Sequence, residues 1–281
     1  MHLSGLFIYP VKSLRGCAVG AADLDELGLV GDRRFMVVDS QGRFLTQRAH
    51  PQMTLIATSL SPDTLTLSAQ GAGICSVPRV AARESAPPLL RRVSVWNSDG
   101  LTAEDCGDAA AEWLAACLRV KCRLVRAGPA FHRPVLKPGR ALPSDVVGFA
   151  DAYPFLLISE ASLSDLNQRL AAGGEAPLPM DRFRPNLVVA GGAAYDEDTW
   201  PRVRIGSIAL RAGGPCARCA VTTTDQLTAT RGREPLRTLA TYRRDAEDPT
   251  DVNFGQNFFH ESKRGILRVG DPVEILAAAR A

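Results

Sequence analysis

Histidine is scarce in this chain. The four, His2, His50, His132 and His260, stand singly, so a structural zinc would lack the close Cys or His partners it needs. Charge of one sign is also lacking: 33 Lys and Arg against 30 Asp and Glu leave a surplus of three. That is too small to argue for a nucleic-acid polymer as partner. No apolar run approaches the roughly 18 residues of a membrane helix; Phe155–Ile158 and Leu187–Ala190 are cut short by polar residues, Gly or Pro. No membrane partner is therefore expected. The start, MHLSGLFIYPVKSLRG, puts its positive charges after the apolar stretch and has no cleavage site, which argues against a secretory signal. Seven cysteines, an odd number at low density, do not make a disulfide scaffold and fit a reducing compartment. The expected location is cytoplasmic.

What is present is an ordinary globular composition, 46% hydrophobic and 22% charged, in 281 residues. One domain per roughly 150 residues suggests about two domains. The first part reads as short strands. Phe35–Val38, then Asp39-Ser40-Gln41-Gly42, then Arg43-Phe44-Leu45 is an apolar, turn, apolar pattern, with Gly where a left-handed residue belongs. Thr64–Leu67 and Val93–Val95 alternate with period two, with breaks at Gly71-Ala72-Gly73 and Ala86-Pro87-Pro88. From Asp105, a cap residue, the period becomes helical through Ala109, Trp113, Ala116 and Cys117. Pro129, Pro134, Pro138 and Pro143 then mark an extended connection, and the softest boundary falls there. Ser159 caps a second helix to about Leu170, Leu187–Val189 is a strand, and Ile266–Val269, Gly270-Asp271-Pro272, Val273–Leu276 reads strand, turn, strand. The expectation is a mostly β (α+β) protein with a small front barrel.

Three segments carry chemistry. The first is Cys216-Ala217-Arg218-Cys219. A Cys-x-x-Cys serves as a redox dithiol, half a zinc site or two buried thiols. The β-branched Val221–Thr224 that follow favour a strand or loop over the helix of a thioredoxin-like pair. Arg218 between the thiols favours a thiolate, the form that ligates soft metals. The second segment, Tyr9-Pro10-Val11-Lys12-Ser13, lacks the glycines of a nucleotide-binding loop. Together with Gly31-Asp32-Arg33-Arg34-Phe35 and Arg182-Phe183-Arg184-Pro185-Asn186 it offers cations and amides that would hold an anion or polar heterocycle, provided they converge; singly they read as solvated surface charge. In the third, Gly148-Phe149-Ala150-Asp151, burial beside an apolar run would raise the Asp151 pKa and fit it for proton transfer; a turn aspartate is the plainer reading.

As an ordered set, these segments resemble the MOSC family, in its subgroup with an N-terminal MOSC β-barrel. The likeness also rests on Ser159-Glu160-Ala161-Ser162-Leu163, Thr222-Thr223, Arg233-Glu234-Pro235-Leu236, Phe254-Gly255-Gln256-Asn257 and Val269-Gly270-Asp271-Pro272-Val273. It covers nearly the whole chain and is similar to the branches that reduce amidoximes and other N-hydroxylated bases. The resemblance implies an N-terminal β-barrel-like domain over residues 1–120 and a MOSC β-barrel domain over 121–281, with a few flanking helices. It implies a molybdenum cofactor, molybdenum on molybdopterin, with Cys219 as the metal ligand and catalytic thiolate. Lys12, Ser13, Arg34, Asp151, Arg184, Asn186, Arg218 and Asn257 become cofactor-binding residues, and Asp151 also a catalytic proton carrier. Cys216 receives no role.

This sequence departs from the pattern at Ala217, where Ser is usual, and at Asn257, where the amidoxime-reducing branch often has an aromatic. Related reductases continue into a ferredoxin-like domain; here the chain ends five residues after Leu276 without the cysteines for an iron–sulfur cluster. The implied activity is reduction of N-hydroxylated compounds (amidoximes, hydroxylamines, N-hydroxy bases) with electrons from a separate flavin or iron–sulfur protein. The alternative is a non-catalytic module carrying the cofactor or its sulfur, because fold alone does not define function.

Overall fold

The structure is a computed structural model that describes residues 1–81 and 88–277. Ala86-Pro87, one of the expected breaks between strands, lies outside the described residues. Four sheets account for the architecture, and the larger of them curl into half barrels. The protein is mostly β, with helices Asp108–Leu118, Glu160–Ala172 and the single turn Leu236–Leu239 among the described residues.

The largest sheet has eight strands, in the order Val273–Leu276, Arg202–Ile205, Ile208–Ala217, Asn253–His260, Phe155–Ser159, Leu187–Ala190, His2–Ile8 and Cys17–Ala18. Phe155–Ser159 lies parallel to Leu187–Ala190, with the helix Glu160–Ala172 in the crossover. A strand covered on both faces reads as a continuous apolar run, and all five residues of Phe155–Ser159 are buried. Ile158 packs with Leu166, Leu170 and Phe254 on the helix side, while Phe155 and Leu157 join Leu3, Leu6 and Leu210 on the other. Ser159 caps the helix as its sequence predicts: its Oγ accepts the Ser162 N–H at 3.1 Å.

The front sheet runs Phe35–Val38, Arg123–Arg126, Ser98–Asp105 and Leu90–Val95. Beside it, Ala57–Leu60, Thr64–Ala69 and Gly73–Pro78 form a meander covered by the helix Asp108–Leu118. The last sheet joins Ala21–Asp25 to Gly28–Leu29 and Gly265–Arg268. Front and back are thus laced together, because His2–Ile8 pairs with Leu187–Ala190 and Ala21–Asp25 with Gly265–Arg268.

The turn after Phe35–Val38 forms with Gly42 at φ +77°; its return arm makes no strand but bridges Val38 to Phe44 and Arg43 to Ser94, with the Asp39 N–H on the Arg43 carbonyl and the Leu45 N–H on that of Val37. Asp105 does not cap the first helix. It ends a strand, and its carboxylate takes the Gly107 N–H at 2.7 Å and two Arg123 N–H groups, so the helix starts after Gly107. The buried stripe of that helix is Ala110, Ala111, Leu114 and Leu118, one residue round from the expected set. At the end of the chain the two strands form, yet each pairs in a different sheet.

Candidate active site

Where the curled sheets meet, the chain leaves a cavity of about 520 Å³. Its first wall is the turn after strand His2–Ile8. Val11 bridges to Phe35 and the Lys12 N–H binds the Phe35 carbonyl at 2.8 Å, which carries the chain across to the front sheet. Ser13 takes a left-handed backbone, φ 66°, and its carbonyl accepts Gln47 Nε2 at 2.8 Å. Lys12 is thereby turned inward and is 5% exposed. Its Nζ donates to the Phe149 carbonyl at 2.9 Å and to the Asp151 carboxylate, and lies 5.2 Å from the Phe44 ring centre.

Asp151 sits on a segment with neither strand nor helix, and Arg133 holds that segment. The buried Arg133 guanidinium donates to the carbonyls of Gly148 at 2.9 Å, Ala150 at 2.6 Å and Asp151 at 2.9 Å. Gly148 is required where it stands, because a Cβ there would come within 2.7 Å of the Arg33 carbonyl oxygen. The Asp151 carboxylate opens on the cavity, with its side chain 66% exposed. Desolvation pushes its pKa up, but the Lys12 charge and hydrogen bond, the Trp96 indole N–H and the Arg33 charge outweigh it and hold the carboxyl well below the usual range. The expected rise is therefore corrected: Asp151 is an ionised acceptor, because a buried ammonium stands against it.

Two cations stack on one ring. The Arg33 and Arg184 guanidinium carbons lie 4.4 and 4.2 Å from the centre of the buried Tyr9 ring, whose hydroxyl donates to the Pro185 carbonyl at 3.0 Å. Arg33 also donates to Asp32 at 2.7 Å and Asn186 Oδ1 at 3.0 Å. Arg184 stands in a left-handed conformation, φ 55°. Burial, with Arg33 nearby, pulls its guanidinium down to about 10.

The thiols come from the end of strand Ile208–Ala217. Its ladder with Asn253–His260 slips between Ala212 and Gly214 and again between Pro215 and Ala217, which bends it at the cavity. Asn257 braces the bend through Nδ2 to the carbonyls of Gly214 at 3.2 Å and Pro215 at 3.0 Å. The next residues make a 3₁₀ turn, Ala220–Thr223, where strand or loop is the expectation; the Thr222 N–H and hydroxyl both bond the Cys219 carbonyl. Arg218 donates to Cys216 Sγ at 3.0 Å and to the Phe183 carbonyl at 2.5 Å.

Lys12, Ser13, Asp151, Arg184, Asn186, Arg218, Cys219 and Asn257 all line this cavity, and Arg34 does not. Arg34 turns the other way, to Asp25 at 2.5 Å and the Leu29 carbonyl at 3.1 Å, while Arg33 takes the cavity wall. The amide of Asn186 bonds Arg33, the Leu156 N–H and the Phe7 carbonyl. Arg133 and Trp96 carried no motif signal; an arginine amid prolines and a tryptophan in a hairpin turn look like any other.

The cavity suits an anionic group carrying a soft metal. Arg184 Nη1 and Arg218 Nε are buried with no partner, and buried donors without acceptors are rare unless a ligand supplies one. Among the described residues no cluster of three or more His, Cys, Asp or Glu is able to hold a metal ion. A metal here would bring most of its ligands with it; Cys216 and Cys219 are the thiols on the cavity wall.

Residues 1–121 match the MOSC N-terminal beta barrel domain and residues 144–274 the MOSC domain, and the chain belongs to the MOSC family. Its relatives include mitochondrial amidoxime-reducing component 1 of Mus musculus, 38% identical over 96% of this chain and 81% of that protein. The Homo sapiens component 1 is 37% identical over 96% and 82%, and the Bos taurus component 2 is 34% identical over 96% and 82%. These relatives are mitochondrial by name, and that overturns the cytoplasmic expectation: free thiols report a reducing environment, not an organelle. No helix among the described residues is long and apolar enough to cross a membrane.

Proposed function

We propose that this chain is a molybdenum-cofactor-dependent oxidoreductase that reduces N-hydroxylated compounds, amidoximes foremost, with electrons from a separate redox protein. The observation that carries the reading is the thiol of Cys219, with Cys216 beside it, sharing a cavity wall with two guanidinium groups that each have a buried donor without a protein acceptor. The names of the relatives, amidoxime-reducing components, supply the substrate class. In this reading residues 1–120 and 121–281 act as two interlaced units.

When bound, the cofactor supplies the two-electron redox chemistry by which an N–O bond is broken. The chain's own residues do the rest. Cys219 gives the metal a protein thiolate. Arg184 and Arg218, each with a buried N–H that no protein group accepts, would offer their charge to the anionic part of the cofactor, and Lys12, Ser13 and Arg33 line the same wall. Asn186 and Asn257 hold the walls in place. Asp151, ionised beside Lys12, takes hydrogen bonds from substrate N–H groups, and the protons the reduction consumes come from water.

Wild type and Cys219→Ala, purified from a cofactor-competent host, test this by molybdenum per protein, pterin fluorescence after oxidation, and amidoxime turnover with a reduced dye. The expected result is near-stoichiometric metal and turnover that both fall on losing Cys219. Full metal and turnover in Cys219→Ala would falsify the reading; metal without turnover in wild type would leave a cofactor carrier.

A further inference from the structure

Trp96 stands in the turn between strands Leu90–Val95 and Ser98–Asp105 with φ at 52°, a backbone conformation that a bulky side chain rarely adopts. Its residue is 40% exposed, so burial does not account for its being held there. What it touches does. The indole N–H donates to Asp151 Oδ1 at 3.0 Å, the ring meets Phe44 edge-on at 4.9 Å, and the Arg48 guanidinium carbon lies 4.5 Å from it. Lys12 Nζ, 6.0 Å from the same ring, bonds the same Oδ1. Among the described residues nothing donates to Asp151 Oδ2, and the side chain opens on the cavity.

We propose that Trp96 is a positioning residue: its indole and Lys12 together grip one oxygen of Asp151 and leave the other facing the cavity, where the substrate's N–H groups meet it. The inference rests on the reductase reading above and gives the front hairpin a part in it. The strained turn holds the indole in place before substrate arrives, so the carboxylate needs no reorganisation.

The test is a double-mutant cycle on the holoenzyme with Trp96→Phe, Asp151→Asn and both. Phe keeps a ring against Phe44 and Lys12 and removes only the N–H. Trp96→Phe should lower amidoxime kcat/KM by about three- to tenfold, the net worth of one ordinary hydrogen bond, because the donor is half-exposed and competes with water. In the Asp151→Asn background that loss should vanish, because the two side chains act as one unit. Asp151 is faced by Lys12, Trp96 and Arg33, with Arg133 on its carbonyl, so it stays ionised without the indole and the loss should appear as a raised KM rather than as a moved pH profile. An undiminished loss in the Asp151→Asn background, or no effect of Trp96→Phe at all, overturns the proposal. The same four proteins, melted without cofactor, give a second cycle that needs no turnover, and additive melting shifts also overturn the link. If wild type lacks amidoxime turnover, the reductase reading falls, and the melting cycle still decides whether Trp96 holds Asp151.

Discussion

Replacing Arg184 by Met should leave the ligand-free protein about as stable as before, or more so, while stripping it of its hold on an anionic ligand. Arg184 is 9% exposed, its Nη1 has no acceptor, and Arg33 lies close by. An unsatisfied buried donor costs about 1–3 kcal/mol, more where it is charged. Stacking on the Tyr9 ring returns about 0.5–2 kcal/mol. Met occupies a similar volume, inherits the same left-handed backbone and keeps the carbonyl that Arg33 Nη2 reaches at 3.4 Å. The two terms largely offset each other, so the change in stability should lie between about 1 kcal/mol against Met and about 2.5 kcal/mol in its favour, with the midpoint favouring Met. Binding runs the other way. One charge-assisted hydrogen bond is worth about 1.5–3 kcal/mol, or roughly ten- to 150-fold in affinity. Urea unfolding of the cofactor-free protein reads the first quantity, and molybdenum and pterin per protein read the second. A variant that unfolds more than about 2 kcal/mol early yet retains full cofactor would refute the argument, since Arg184 would then be a structural cation.

Three further outcomes follow from the same contacts. Tyr9→Leu should lower cofactor occupancy several-fold by removing the ring on which Arg33 and Arg184 stack, whereas Tyr9→Phe should keep occupancy and lose only about 1 kcal/mol with the bond to the Pro185 carbonyl; equal occupancy in Tyr9→Leu would remove the ring from the account. Asp105 is buried, which raises its pKa, but hydrogen bonds from Arg123, Arg91 and the Gly107 N–H lower it further, to about 2. A depressed carboxyl stabilises the fold above its unfolded pKa of about 4, and that stability drains away as pH falls toward 2. Acid unfolding should therefore steepen below about pH 4 in wild type and flatten in Asp105→Asn, which should already be less stable at pH 7. Ser159→Ala should cost about 2 kcal/mol, the N-cap bond plus a disturbed buried chain through Ser162 to Glu197; a urea midpoint within error of wild type would refute the cap.

Much of the fold was legible because it is written in short-range patterns. Ser159 and the apolar period behind it announce a capped helix, Leu187–Val189 and Thr64–Leu67 announce strands, and Gly42 announces a turn, each within a few residues of chain. The errors were also local. Asp105 has the side chain of a cap, yet Arg91 and Arg123, from two neighbouring strands, claim it as a strand-end carboxylate, and no window around residue 105 contains both arginines.

Which chemistry is on offer can be read along the chain: a thiol pair with an arginine inside it, a lysine–serine turn, arginine-rich turns and an aspartate after Gly-Phe-Ala. Tertiary structure alone decided which of these meet and in what charge state. Of the adjacent Arg33 and Arg34, the left-handed backbone at Arg33 sends that side chain to Tyr9 and the cavity, and Arg34 away to Asp25. Asp151 reads as a carboxyl that burial would neutralise until Lys12, 139 residues earlier, is folded against it and keeps it ionised. Trp96 and Arg133 acquire meaning only through contacts with that same segment. The reason is one of range: propensity and periodicity act over a turn or a strand, whereas the electrostatics and hydrogen bonding of a site depend on groups that only the complete fold brings within a few ångströms.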